Sequence, residues 1–282
     1  MPRPPLRDVI ARHGLNARRS LGQHFLLDTN VTARIVREAG PLAGRHVLEV
    51  GPGPGGLTRA LLDSDAADVI AIEVDRRAAA AIAELAAESG GRLRLIEGDA
   101  LRIDPVELVP EPRRIVANLP YNIASVLLVR WLRRVAAFER LTLMFQQEVA
   151  ERICAGPGSN AYGRLSVLAQ WTCEAEIVLR LPPTAFVPPP KVWSSVVSLA
   201  PRPHQPDSVL FACMERVTAA AFGQRRKMLR GSLRSLGGEV LLGDAGIEAD
   251  RRAETLTISE FDRLARIVRE RGLADAAGSL LG

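Results

Sequence analysis

The chain has 282 residues, of which 47% are hydrophobic and 24% charged. That composition can bury a substantial core and excludes a disordered or fibrous chain. Lys and Arg number 37 against 32 Asp and Glu, a net charge of +5, an excess that permits a polyanionic partner without requiring one.

In chain order, apolar residues at helical spacing predict a helix from Asn30 to Ala39. HVLEV (46–50) is a short strand running into a glycine cluster. LTRALLDS (57–64) is helical, DVIAIEVD (68–75) a second strand and the alanine-rich 76–89 a helix. RLRLIEGD (92–99) and RIVANLPY (114–121) are the third and fourth strands, and VLLVRWLRRV (126–135) is a helix. RLTLMFQ (140–146) is the fifth strand and 146–156 a helix. Strand–helix alternation of this kind builds a doubly wound parallel sheet. GPGSNAYGR (156–164) is a loop, and WTCEAEIVLRL (171–181) and VWSSVVSLAP (192–201) are antiparallel strands closing the sheet around a proline-rich turn. After a linker at 200–208 come short helices in 208–222, 226–236 and 259–271. The expected organisation is an α/β domain over 1–200 and a small helical domain over 201–282.

The cysteines Cys154, Cys173 and Cys213 are isolated, which speaks against a disulfide framework and against zinc. No apolar run is long enough to cross a bilayer, and MPRPPLRDVIARHG carries no apolar signal region. The expectation is a soluble cytoplasmic protein with no membrane partner and no metal.

Gly51, Gly53 and Gly56 fit the GxGxxG pattern behind the first strand, where glycines let backbone approach a ligand. Alone the pattern is weak, because nicotinamide and flavin proteins share it. Glu73 ends the second strand, where a carboxylate can accept from ribose hydroxyls. Asp99 follows the third strand, placed either to accept from an adenine amino group or to cap the next turn. The fourth strand ends in Asn118-Leu119-Pro120-Tyr121. The Asn118 amide oxygen and the Leu119 carbonyl can accept the two hydrogens of an exocyclic amino group. Pro120 stiffens the loop, and Tyr121 offers a flat face to a flipped-out base. Six basic and no acidic residues lie between Arg216 and Arg234. Of these, Arg225, Arg226 and Lys227 are candidates to grip RNA phosphates.

Together with Arg19 to Asp28 (RSLGQHFLLD), Phe145 to Ala150 (FQQEVA), Tyr162 to Ser166 (YGRLS), Phe186 to Val192 (FVPPPKV) and Phe222 to Lys227 (FGQRRK), these motifs resemble the KsgA family of ribosomal RNA adenine dimethyltransferases over nearly the whole chain. The resemblance implies a Rossmann-like methyltransferase sheet that binds S-adenosyl-L-methionine. It also implies N6,N6-dimethylation of two adjacent adenines of 16S ribosomal RNA, in the small subunit or its precursor, with a role in subunit biogenesis. His24 and Leu26 would cover the cofactor, Gly51 lie against its amino-acid part, Glu73 hold its ribose and Asp99 its adenine, with Asn118 facing both cofactor and acceptor. Asn118, Leu119, Pro120 and Tyr121 would form the catalytic loop, and Phe186 would stack on the other side of the target base.

One departure is His24, where the family usually has asparagine. A protonated imidazole there would face a sulfonium, so cofactor affinity is expected to weaken below about pH 6. No dimerisation element is evident, so a monomer is expected. The competing readings are a large-subunit enzyme of the macrolide-resistance type, a non-catalytic ribosome-assembly factor, and a nicotinamide oxidoreductase. For the last, no hydride-site residues stand out.

Overall fold

The computed structural model describes residues 3–15, 24–224 and 226–272. Among these, nine strands form two sheets: β1 (Phe25–Leu26), β2 (His46–Val50), β3 (Asp68–Glu73), β4 (Leu93–Glu97), β5 (Arg113–Asn118), β6 (Arg140–Gln146), β7 (Cys173–Leu181), β8 (Phe186–Val187) and β9 (Ser194–Pro201). The main sheet has the order β4-β3-β2-β5-β6-β9-β7, and β1 pairs with β8 in a separate ribbon. Strands β2 to β6 are mutually parallel, with Leu48 opposite Ile70 on one side and Ile115 on the other. Val47, Leu48, Val69, Ile70, Ile115 and Val116 are buried, as expected of parallel strands covered on both faces. Strand β9 runs antiparallel to β6.

The chain divides into two compact units. One comprises 1–130, 136–150 and 176–201, and the other 131–135, 151–175 and 202–282. The expected cut at 200/201 lies one residue from the last of these boundaries, but two earlier segments also belong to the second unit.

In the first unit, helix starts are set by side-chain caps. Asp28 accepts from the Asn30 N–H ahead of the helix Thr29–Glu38, and Asp75 accepts from the Arg77 N–H ahead of Arg76–Ala87. Strands β3 and β5 flank β2 on opposite sides, so the connections leave β2 and β5 in opposite directions. A crevice opens at such a point, outside the carboxyl ends of the strands.

The second unit is helical. Phe222 stacks on Phe261 at 5.5 Å, and Tyr162 meets Phe222 edge-on at 5.9 Å. Glu215 bridges Arg133 and Arg164 at 2.9 and 3.1 Å. A capping box formed by Thr257 and Glu260 starts the helix Ile258–Glu270.

The structure departs from the sequence expectations locally. Trp171 and Thr172 end a helix, Arg164–Thr172, and the strand begins only at Cys173. The helices Leu6–Arg12 and Gly238–Asp244 were not expected. Among the described residues, no helix is long and apolar enough to cross a membrane.

Candidate active site

A cleft of about 260 Å³ lies at the carboxyl ends of β2 to β5. Its walls come from the 24–26 segment, the glycine loop after β2, the ends of β3 and β4, and the loop after β5. Of the expected site residues, His24, Leu26, Gly51, Glu73, Asp99 and Asn118 to Tyr121 all line it.

The glycine loop packs tightly against its own protein. A Cβ on Gly56 would sit 2.2 Å from the Leu26 carbonyl oxygen, an approach no side chain tolerates. Gly51 has φ +72°, and its Cβ would meet the Pro120 ring at 3.3 Å. The glycines thus serve to bring β1 and the 118–121 loop against the end of β2.

Glu73 is buried, and its carboxylate accepts three backbone N–H groups. Val74 and Asp75 donate to Oε1 at 2.9 and 2.8 Å, and Gly53 donates to Oε2 at 3.2 Å. Burial raises its pKa, and these three hydrogen bonds oppose the rise. A carboxylate has about four acceptor positions, so one remains, on Oε2.

Glu49 was not singled out by the sequence reading. It is 1% exposed, lines the cleft, and among the described residues its Oε2 has no hydrogen-bond partner. Burial pushes its carboxyl up to about 8. The Thr58 hydroxyl pulls the other way, and the charge of Glu73 adds to the rise. The available signal was a carboxylate inside the otherwise apolar strand HVLEV. Asp99 is more exposed. Its Oδ1 accepts from the Leu101 N–H at 2.9 Å, and Oδ2 lies 3.8 Å from Arg102, so it does cap the turn while bordering the cleft.

The loop after β5 is held by neutral contacts. Asn118 Nδ2 donates to the His24 carbonyl at 3.1 Å, which fixes the amide and leaves Oδ1 as an acceptor. The Tyr121 hydroxyl lies 2.7 Å from Ser194 Oγ, and Ser194 is fully buried at the start of β9. Burial raises the Tyr121 pKa, opposed by this hydrogen bond. The His24 imidazole stacks on the Tyr121 ring with centroids 5.4 Å apart and planes at 30°. Its Nδ1–H donates to the Pro188 carbonyl at 2.9 Å.

Phe186, expected beside the target base, lies in the core. It is 2% exposed and packs in the core with Leu26, Ile35 and Leu57. The cause is register: β8 pairs with β1 so that Phe186 lies opposite Leu26, and both side chains turn inward while Val187 faces out. Phe186 is therefore not among the residues that line the cleft. Arg226 and Lys227 are exposed in the second unit and line a shallow depression with Gly223 and Gln224. Arg225 and the Arg19–Gln23 part of the N-terminal motif lie outside the described residues.

Comparisons with known proteins place the chain in a family. The family model "Ribosomal RNA adenine dimethylase" matches residues 14–270. The chain is 59% identical to the ribosomal RNA small subunit methyltransferase A of Gluconobacter oxydans, over 94% of this chain and 87% of that protein. It is 56% identical to the protein of the same name from Rhodospirillum rubrum, over 98% and 94%. Among solved structures it is similar to a dimethyladenosine transferase from Plasmodium falciparum, with TM-score 0.74 and 26% identity over 88% of this chain and 98% of that one. It is also similar to the 23S rRNA methyltransferase ErmE, with TM-score 0.66 and 27% identity over 87% and 99%. With a family match spanning most of its length and relatives this close, the chain belongs to the ribosomal RNA adenine dimethylase family of methyltransferases.

Proposed function

We propose that the chain dimethylates N6 of adenines, two adjacent ones by family resemblance, in 16S ribosomal RNA of the small subunit or its precursor, using S-adenosyl-L-methionine and contributing to subunit biogenesis. The observation that carries this reading is the tethered Asn118 amide, whose Nδ2 is spent on the His24 carbonyl so that Oδ1 is presented as an acceptor. The small-subunit assignment is supported by relatives at 56–59% identity that carry the small-subunit name, against 27% for the large-subunit enzyme ErmE.

The cleft fits a cationic nucleoside. Among the described residues its lining holds three acidic side chains, Glu49, Glu73 and Asp99, and no Lys or Arg; Glu49, whose carboxyl burial pushes up to about 8, adds a buried polar oxygen, Oε2, without a hydrogen-bond partner among these residues. In this reading the free position on Glu73 takes a ribose hydroxyl. Asp99 Oδ2 takes the adenine amino group, Gly51 lies against the amino-acid end, and His24 and Leu26 cover the ligand. When bound, S-adenosyl-L-methionine supplies an electrophilic methyl group on a sulfonium sulfur.

The protein's own part is positioning. Adenine N6 is a poor nucleophile because its lone pair is delocalised into the ring. Asn118 Oδ1 and the Leu119 carbonyl accept its hydrogens, which concentrates density on nitrogen, while Tyr121 fixes the ring plane. For the second transfer one hydrogen remains, and one acceptor suffices. Arg226 and Lys227, with Arg225, grip RNA phosphates without reading sequence.

The test is transfer from labelled S-adenosyl-L-methionine to unmethylated small subunits, followed by nucleoside analysis of the digested RNA. The expected product is N6,N6-dimethyladenosine in small-subunit RNA. Label on large-subunit RNA would favour the resistance-type enzyme, and no label with cofactor binding intact would favour an assembly factor.

A further inference from the structure

One face of the Tyr121 ring, in the cleft that both residues line, is taken by a side chain of the protein itself, that of His24. The His24 imidazole stacks on it with centroids 5.4 Å apart, inside the range of direct aromatic pairs. A base sandwiched between the two rings would need them roughly 7 Å apart, two contact layers of about 3.5 Å. Phe186, the ring expected to flank the base, is buried in the core. His24 is thus the ring that lies against Tyr121 among the described residues, and a base stacked on that face would have to take its place.

We propose that the His24 imidazole is a resident stand-in for the target base, covering Tyr121 until the adenine displaces it and returning as the methylated product leaves. The proposal rests on the reading that Tyr121 stacks the acceptor base.

Two features make the exchange feasible. Among the described residues the imidazole is held by one hydrogen bond, Nδ1–H to the Pro188 carbonyl, and its release breaks that bond. Asn118 is tied to the His24 main-chain carbonyl and not to the ring. Rotation about the His24 Cα–Cβ bond therefore uncovers Tyr121 and leaves the Asn118 acceptor in place. Tyr121 itself does not follow the imidazole, because its hydroxyl is bonded to the buried Ser194. The arrangement lowers affinity for every base by the same factor, substrate and product alike. That factor helps a twice-acting site release what it has modified, and it keeps an apolar face out of water meanwhile.

The test is NMR of the full chain with labelled histidines, saturated with S-adenosylhomocysteine and titrated with adenosine as the probe. Before titration, one of the four histidines shows ring protons shifted upfield by Tyr121, and Tyr121→Leu abolishes the shift. Adenosine returns those protons to ordinary positions, and His24→Ala binds adenosine roughly three- to tenfold more tightly, the range expected from removing one competing aromatic pair. The stand-in is overturned if the upfield shift persists at saturating adenosine, if His24→Ala binds adenosine no better than the natural chain, or if neither chain binds it. A Tyr121→Leu chain that methylates small subunits at the natural rate would instead remove the reading beneath it, by taking Tyr121 out of the acceptor site.

Discussion

At the ends of β2, β3 and β4 the cleft presents Glu49, Glu73 and Asp99, whereas at the end of β5 it presents an amide, a peptide carbonyl, a proline ring and a phenol. In the acidic half Glu73 and Asp99 accept from backbone N–H groups, whereas the neutral half is held by side-chain contacts to His24 and Ser194. Each half suits a different reactant. A cationic ligand gains from fixed negative charge in a water-poor cleft. A neutral amino group gains from acceptors aimed at its hydrogens, and a full negative charge beside them would only bind the cation a second time. Substitutions in the two halves should therefore separate cofactor binding from methyl transfer.

The largest expected effect lies in the neutral half. Asn118→Ala removes the oriented acceptor, and loss of one such preorganised group typically costs about 10²- to 10³-fold in turnover. S-adenosylhomocysteine affinity, measured by calorimetry, should stay within roughly threefold because no charge is lost. Tyr121→Ala should behave likewise, turnover on RNA falling far more than cofactor affinity. Equal losses in both quantities would erase the distinction between the halves and make Tyr121 a structural residue.

In the acidic half, Glu73→Ala should show the reverse pattern. It strips the acceptor from the Gly53, Val74 and Asp75 N–H groups as well as from the ligand. Hydrogen bonds to charged groups contribute about 1.5–3 kcal/mol each, so S-adenosylhomocysteine affinity should drop about 100-fold. Thermal unfolding should show a loss of roughly 2–4 kcal/mol once water reaches some of the freed donors. A variant that binds the ligand normally would mean that the three backbone donors, and not a ribose, are the whole purpose of Glu73.

Glu49 sharpens the comparison within the acidic half, since it is as buried as Glu73 but lacks the backbone donors. Its folded pKa of about 8 lies above the ordinary carboxylate value of 4.5. Between those values the native state holds a proton that the unfolded chain has released, so stability falls as pH rises through that window. The slope is about 1.4 kcal/mol per pH unit for one full proton. Glu49→Gln, neutral at every pH, should flatten that part of the profile, so its stability relative to the natural chain rises from pH 5 to pH 8 in urea titrations. Parallel profiles would mean that Glu49 is ionised in the folded protein.

Much of this was legible in the chain. Apolar β-branched runs broken by Gly, Asp and Pro announced β2 to β6, and the chemistry-bearing residues stand where those strands end. Local signals failed where tertiary contacts decide. Trp171 and Thr172 have strand-forming side chains, yet Thr172 Oγ1 bonds back to the Leu168 carbonyl as the last turn of a helix. Phe186 turns inward because its two-residue strand pairs with residues 160 positions away (186 − 26). The contact between His24 and Tyr121 spans 97 positions (121 − 24), and no pattern within either motif encodes it.

The smallest expected effect lies outside the cleft, on the second unit. Arg226 and Lys227 are exposed, and the described ion pairs on either side of them in sequence, Arg202–Glu174 and Arg230–Glu239 among them, involve neither. Side chains that grip phosphates act by releasing counterions, so their loss shows in salt dependence before it shows in affinity. Replacing both by Gln should reduce the slope of log affinity against log salt for small-subunit binding by up to about two, near one for each phosphate no longer neutralised. Affinity at physiological salt should weaken by a few-fold, with Asn118- and Glu73-dependent quantities untouched. An unchanged slope would move the phosphate footprint off this segment. A changed slope together with altered cofactor affinity would mean that the second unit does more than hold RNA.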